Sequence, residues 1–159
     1  MNVAIFPGSF DPITTGHVDL IDRSAPIFDK IIIAIGQNSK KKYLFPLEVR
    51  QNWLNKIAAN YDNVEVATYT GLTVNFAKEK EAKFLVRGLR NASDFDYEKE
   101  ISQLNNIIGD GLETVFFIAQ PKLSHISSTI VREIINGKGD VSEFVPSIVF
   151  EDLKSKYYK

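Results

Sequence analysis

Phosphate chemistry is the work best suited to the polar residues that cluster in this chain. His17 closes the run Thr14-Thr15-Gly16-His17, with a glycine before it and the hydroxyls of Ser9 and Thr14 close by. In the first turn of a helix such a histidine can donate a hydrogen bond to a phosphoryl oxygen as charge builds on it. The alternative is a histidine that only caps or solvates a surface helix. Arg87 and Arg90 stand on either side of Gly88. Two guanidinium groups there favour a phosphate clamp, because arginine grips such oxygens in a fork; the alternative is ion pairing with Asp94 or Glu98. Lys40, Lys41 and Lys42 read equally as phosphate ligands or as a solvated loop. Ser127, Ser128 and Thr129 place three hydroxyls at a helix start, more than one cap needs, and lean toward anion binding. His125 reads as a surface or packing residue, and Phe95 and Tyr97 as core rather than as a base-stacking platform.

Composition removes several other chemistries. The 159 residues include no cysteine and only two histidines, His17 and His125. Disulfides, thiolate catalysis and cysteine zinc sites are therefore excluded, and a histidine-built metal centre is disfavoured. No G-x-G-x-x-G follows the first apolar run, and Gly137-Lys138-Gly139 lacks the spacing of a P-loop. A net charge of −1 does not advertise nucleic-acid binding. The apolar runs fall far short of the ~20 residues that span a bilayer. Pro7, Gly8 and Asp11 interrupt any signal-peptide core, so a cytoplasmic protein without nucleic-acid or membrane partners is expected.

The elements that must position these groups follow from periodicity. Residues 2–6 and 31–35 are apolar runs without alternation, as in strands covered on both faces. Further strands are expected at 64–67, 84–86 and 114–119. Pro7, Gly8 and Pro12 should force a loop after the first strand, and residues 68–71 a polar turn after the third. A first helix capped at Thr14 or Thr15 should run on through 19–28, burying Val18, Ile21, Ala25 and Phe28. Helices follow at 47–60, 72–80, 94–108 and 127–136. The fourth of these five helices should pack through Phe95, Tyr97, Ile101, Leu104 and Ile108. The tail, 141–157, should hold one or two short helices split at Pro146. Strand–helix alternation repeated five times predicts an α/β, Rossmann-like, doubly wound five-stranded parallel sheet. A single domain over 1–159 is expected.

The segment Pro7-Gly8-Ser9-Phe10-Asp11-Pro12 with Thr14-Thr15-Gly16-His17 resembles the signature of the nucleotidyltransferase superfamily. Leu85-Val86-Arg87-Gly88-Leu89-Arg90, Asp94-Phe95-Asp96-Tyr97-Glu98 and Ile126-Ser127-Ser128-Thr129-Ile130-Val131-Arg132 resemble the bacterial phosphopantetheine adenylyltransferases, from Val3 to about Pro146. That resemblance implies transfer of the adenylyl group of ATP to 4′-phosphopantetheine with Mg²⁺, giving dephospho-coenzyme A and pyrophosphate. It also implies a homohexamer. By the same resemblance His17 stabilises the transition state and, with Lys41, forms the catalytic pair. Ser9, Phe10, His17, Gly88, Leu89, Arg90 and Glu98 bind ATP, as do Leu123, Ser124, His125, Ile126, Ser127, Ser128 and Thr129. Ser9, Lys41, Thr73 and Arg87 bind phosphopantetheine. No protein ligand to the metal is implied. Ser9 stands where threonine is usual, keeping the hydroxyl, while Leu123 and His125 stand where aromatic residues are common. Related acceptors in the superfamily, a small alcohol phosphate with CTP or nicotinate mononucleotide, are the alternative substrates, and a non-catalytic nucleotide-binding module is the alternative class.

Overall fold

Apolar, β-branched segments with no wet face have to be covered on both sides, and a central parallel sheet does this. The computed structural model describes residues 1–156 and 158. Five strands, β1 (Val3–Gly8), β2 (Lys30–Gln37), β3 (Val64–Thr70), β4 (Phe84–Leu89) and β5 (Glu113–Ile118), pair in the order β3-β2-β1-β4-β5, all parallel. Helices α1 (Thr15–Ser24), α2 (Leu47–Ala58), α3 (Thr73–Glu79), α4 (Ala92–Ile108), α5 (Ser128–Asn136) and α6 (Ser147–Lys156) surround it. The expected fold class is the one observed.

Alternate side chains along the central strands point to opposite faces. Phe6, Ile31, Ile33 and Ile35 join Trp53, Leu54, Val131 and Leu153 in the larger core. Ile5, Ile32, Ala34 and Leu85 meet Val74, Phe76 and Ala77 of α3 in a smaller one. No α4 side chain belongs to either buried cluster.

This thin second face corrects the reading of α4. Phe95 is 43% exposed, Tyr97 65%, Leu104 60% and Ile108 58%. Phe95 and Tyr97 are therefore not core. The helix leans on the β4–β5 edge through the buried Glu98 and the half-buried Ile101, leaving the apolar stripe outward.

Several boundaries also move. β1 continues through Pro7 and Gly8, paired with Ala34 and Ile35 of β2. A proline is tolerated because β1 has already left β4 there and needs no donor on that side. β3 runs on to Thr70 where a turn was expected, held by its ladder with β2. β4 includes Arg87, Gly88 and Leu89, paired with Phe116, Phe117 and Ile118. α1 stops at Ser24; Ala25 is still helical as its cap and donates to the Ile21 carbonyl, but Pro26 has no N–H with which to continue the ladder. One helix, α6, follows Pro146; Tyr157, the expected end of the tail, lies outside the described residues.

Candidate functional site

β1 and β4 are neighbours whose ladder spans only the pairs Ala4–Phe84 and Ile5–Leu85. Beyond these the strands part, at the point where strand order reverses. Ligands of open α/β sheets bind in that crevice, at the carboxyl ends of the strands. β1 delivers Ser9 and Phe10 to it, and β4 delivers Arg87 to Arg90. Arg87 bridges the gap, its Nη1 donating to the Pro7 carbonyl at 3.0 Å.

Two clefts meet there. The first, of about 330 Å³, is walled by Ser9, Phe10, His17, Gly88, Leu89, Arg90 and Glu98, with Leu123, Ile126, Ser127 and Ser128 closing its far side. The second, of about 380 Å³, holds Ser9, Lys41, Thr73, Arg87 and Glu98. Pro7, Gly8, Ser9, Arg87 and Glu98 belong to both, so they form a common wall. Ser124, His125 and Thr129 are not on the wall of either cleft. His125 is exposed and packs edge-on against Phe144, while Thr129 receives Arg132 Nη2 at 3.2 Å. All three lysines are exposed, and of them only Lys41 lines one of these two clefts.

His17 is held as a neutral donor. It is the third residue of α1, whose cap is Thr14, and the capping box is complete. The Thr14 N–H donates to His17 Nδ1 at 2.9 Å, and the His17 N–H donates to Thr14 Oγ1 at 3.3 Å. An acceptor Nδ1 leaves the ring proton on Nε2. Desolvation, then the fields of Arg87 and Arg90, lower its pKa from the usual 6.5 to about 4. His17 thus caps the helix and faces the cleft with one ring, where sequence offered these as alternatives. Phe10 props it: the two rings lie 5.1 Å apart, edge to face. Phe10 itself takes φ of +46°, and at Gly8 a Cβ would come to 3.1 Å from its ring, so a side chain there would push the ring by a few tenths of an ångström.

The arginines are likewise both clamp and ion pair. Arg87 donates from Nε and Nη2 to the Glu98 carboxylate, with Nη2–Oε1 at 2.5 Å, while Glu98 is only 8% exposed. Arg90 pairs with Asp94 across one turn at 3.2 Å. Both arginine side chains line the first cleft and keep about a third of their surface exposed. The N-terminus of α5 adds Ser127 as the cap, its side chain accepting from the Ile130 N–H.

Sequence reasoning missed part of the second cleft. Tyr69, Tyr97, Ile101, Asn105 and Thr114 come to it from three elements. Tyr97 and Ile101 gave no separate signal, because they share helical spacing with Leu104 and Ile108 and read as part of one packing stripe. Asp11, Arg50 and Arg132, which hold the loop after β1, were also not singled out.

Among known proteins, the cytidylyltransferase-like family matches residues 5–134. The chain is 51% identical over 144 residues to a phosphopantetheine adenylyltransferase of Cytophaga hutchinsonii, covering 91% of this chain and 96% of that one. It is 48% identical over 149 residues to a phosphopantetheine adenylyltransferase of Christiangramia forsetii, covering 94% and 98%. The chain belongs to the phosphopantetheine adenylyltransferase family. Solved structures of similar fold include the nicotinic acid mononucleotide adenylyltransferase of Plasmodium falciparum complexed with NaAD, at a TM-score of 0.71 and 16% identity. That likeness covers 99% of this chain and 97% of that one, and it concerns the fold. Within the phosphopantetheine adenylyltransferase family, the paired clefts are what a two-substrate transfer requires.

Proposed function

We propose that the chain transfers the adenylyl group of ATP to 4′-phosphopantetheine, giving dephospho-coenzyme A and pyrophosphate. The observation that carries this is the common wall: in a member of this family, two clefts meet at Ser9 and Arg87. The nucleotide occupies the first cleft and phosphopantetheine the second. A phosphate oxygen of the acceptor attacks the α-phosphorus of ATP in line, the bond to the bridging oxygen breaks, and pyrophosphate leaves. A phosphate is already nucleophilic at neutral pH, so neither a general base nor a covalent intermediate is needed. Catalysis is then alignment of two polyanions and relief of their repulsion.

Lys41 and Arg87 hold the acceptor phosphate. His17, from Nε2, donates to an α-phosphoryl oxygen as charge develops on it, and Arg90 with the start of α5 holds the triphosphate. Being neutral, His17 contributes a directed hydrogen bond rather than a titrating charge. Mg²⁺, bound with the nucleotide, would offset its charge. Asp19, Asp94 and Glu98 on the first cleft are engaged with Arg23, Arg90 and Arg87, a donor set that suits an ion carried by phosphate oxygens and water.

The assembly proposed is a homohexamer, supported by the outward apolar side chains of α4, including Ile107 at 76% exposure. Sedimentation of Leu104→Glu against the parent checks it: a smaller particle with an unchanged fold is expected. No described helix is long and apolar enough to cross a membrane, and a cytoplasmic location is proposed with the reaction.

Pyrophosphate release tests the reaction. Release with Mg-ATP and 4′-phosphopantetheine, but not with CTP and glycerol phosphate or with ATP and nicotinate mononucleotide, is expected. Release only in one of the latter mixtures would move the acceptor, and silence in all with ATP bound would leave a binding module.

A further inference from the structure

A buried arginine outside both clefts joins their loops. Arg50, on the first turn of α2, is only 3% exposed. A charge so deep is costly unless its donors are met. Its Nε donates to the Phe45 carbonyl at 2.9 Å and its Nη1 to the Ser9 carbonyl at 2.8 Å. The guanidinium also lies 4.1 Å from the centroid of the Tyr43 ring. Asp11, 2% exposed, returns the tie from the other side, accepting the N–H groups of Leu44 and Phe45 at 2.8 and 2.9 Å. The loop after β1 and the segment after β2 are therefore stapled reciprocally, side chain to main chain in both directions.

The atoms chosen by Arg50 matter. The Ser9 carbonyl belongs to the peptide that joins Ser9 to Phe10, and in a planar trans peptide the N–H points opposite to the carbonyl. Holding Ser9 O toward α2 turns the Phe10 N–H away from Arg50, and it sets the peptide that enters Phe10 at φ of +46°. A non-glycine residue in that region needs its surroundings to hold it. The Phe10 ring is in turn the support of His17. On its other side Arg50 carries Tyr43, whose hydroxyl accepts the Asn38 N–H at 3.2 Å and donates to the Gly36 carbonyl at 3.4 Å. Lys41 Nζ stands 5.6 Å from the centroid of the same ring.

We propose that Arg50 is a positioning residue that locks the turn at Ser9 and Phe10 to the Lys41 loop, so that one buried guanidinium aligns the donor and acceptor phosphates. The assignment rests on the adenylyl-transfer reading. It differs from a packing role because a lysine keeps the charge but radiates its three donors from a single nitrogen on a flexible stem, and so lacks the rigid fork whose Nε and Nη1 meet the two carbonyls.

The full-length Arg50→Lys variant tests it, with wild-type turnover of Mg-ATP and 4′-phosphopantetheine measured in the same series. Expected are a parent-like circular dichroism spectrum and both KM values within about threefold, with kcat lower by about 10–100-fold, the range for a small misplacement of reacting groups. In Arg50→Ala, millimolar guanidinium chloride should restore part of kcat, and sodium chloride at equal strength should not. Parent-like kcat in Arg50→Lys overturns the proposal. So does a loss that only matches the fraction of sites failing to bind a non-hydrolysable ATP analogue. Should Arg50→Lys not fold, Tyr43→Leu decides: a several-fold loss of kcat in a folded protein supports the lock, and unchanged kcat overturns it. A wild-type chain that does not turn over would remove the reaction reading and this proposal with it; turnover unaffected by the variants removes this proposal alone.

Discussion

The two clefts are built in different ways. The first cleft, the one proposed for the nucleotide, is assembled mainly from three stretches, the loop from Ser9 to His17, the end of β4, and the start of α5. The second cleft, the one proposed for phosphopantetheine, draws on more elements: Lys41 from a loop, Tyr69 from β3, Thr73 from α3, Tyr97, Ile101 and Asn105 from one side of α4, and Thr114 from β5. A triphosphate needs dense local donors, which one turn and two helix starts provide. A long flexible acceptor needs a channel, and a channel exists only once the topology has brought distant side chains together.

This contrast is open to attack, beginning with its strongest consequence. His17→Ala should lower kcat by about 10²–10³-fold, as for loss of one donor to a developing oxyanion, with KM for either substrate little changed. Steady-state kinetics check this, and normal turnover would remove His17 from the transition state. Arg87→Ala comes next. It should raise KM for phosphopantetheine by about 10–100-fold, the scale of a lost charge-assisted contact, with a smaller effect on ATP. Equal effects on both would mean that the common wall does not separate the substrates. The variant also strands Glu98, so Arg87→Ala with Glu98→Gln should recover part of the loss. Thr73→Val, which removes the 2.8 Å bond between Thr73 Oγ1 and the Tyr69 hydroxyl, should raise only the phosphopantetheine KM, by a few-fold.

The pH response sharpens the nucleotide side. With the folded pKa of His17 lowered to about 4, His17 itself should add no inflection to kcat near 6.5, so any inflection from the acceptor phosphate, whose second pKa is about 6, should be the same in the parent and in His17→Asn. The stability linkage has the matching sign. Between the unfolded value of 6.5 and the folded value of about 4, the unfolded chain binds the proton and the folded one does not. Stability from this group is therefore undiminished above 6.5 and falls as pH drops through that window. Thermal melts of the parent and His17→Asn at pH 7 and pH 5 check it: the parent should lose more on acidification.

What could be read from sequence follows the same division. The strands and the loop after β1 were legible because their signals are local: apolar runs without alternation, prolines, and a hydroxyl one turn before His17. Arg87 and Arg90 were legible as polar residues at a strand end. Their double service was not, because Glu98 and Asp94 reach them only when α4 lies across β4. The apolar residues of α4 misled for a related reason. Helical spacing says which side chains share a face, not whether the chain's own sheet covers that face, and Phe95 and Tyr97 stand outward. Pro7 misled as a breaker, since whether a strand can hold proline depends on whether a neighbour requires its missing donor.

The short ladder between β1 and β4 has a further consequence, for inheritance. Register is set by the two pairs at Ala4–Phe84 and Ile5–Leu85, so every residue beyond them on these two strands is released from matching a partner across the gap. Substitutions or insertions at Ser9, Phe10 or Arg87 to Arg90 can redraw the opening while the frame behind it is kept. A sheet parted at its centre can therefore pass from ancestor to descendant with its acceptor changed.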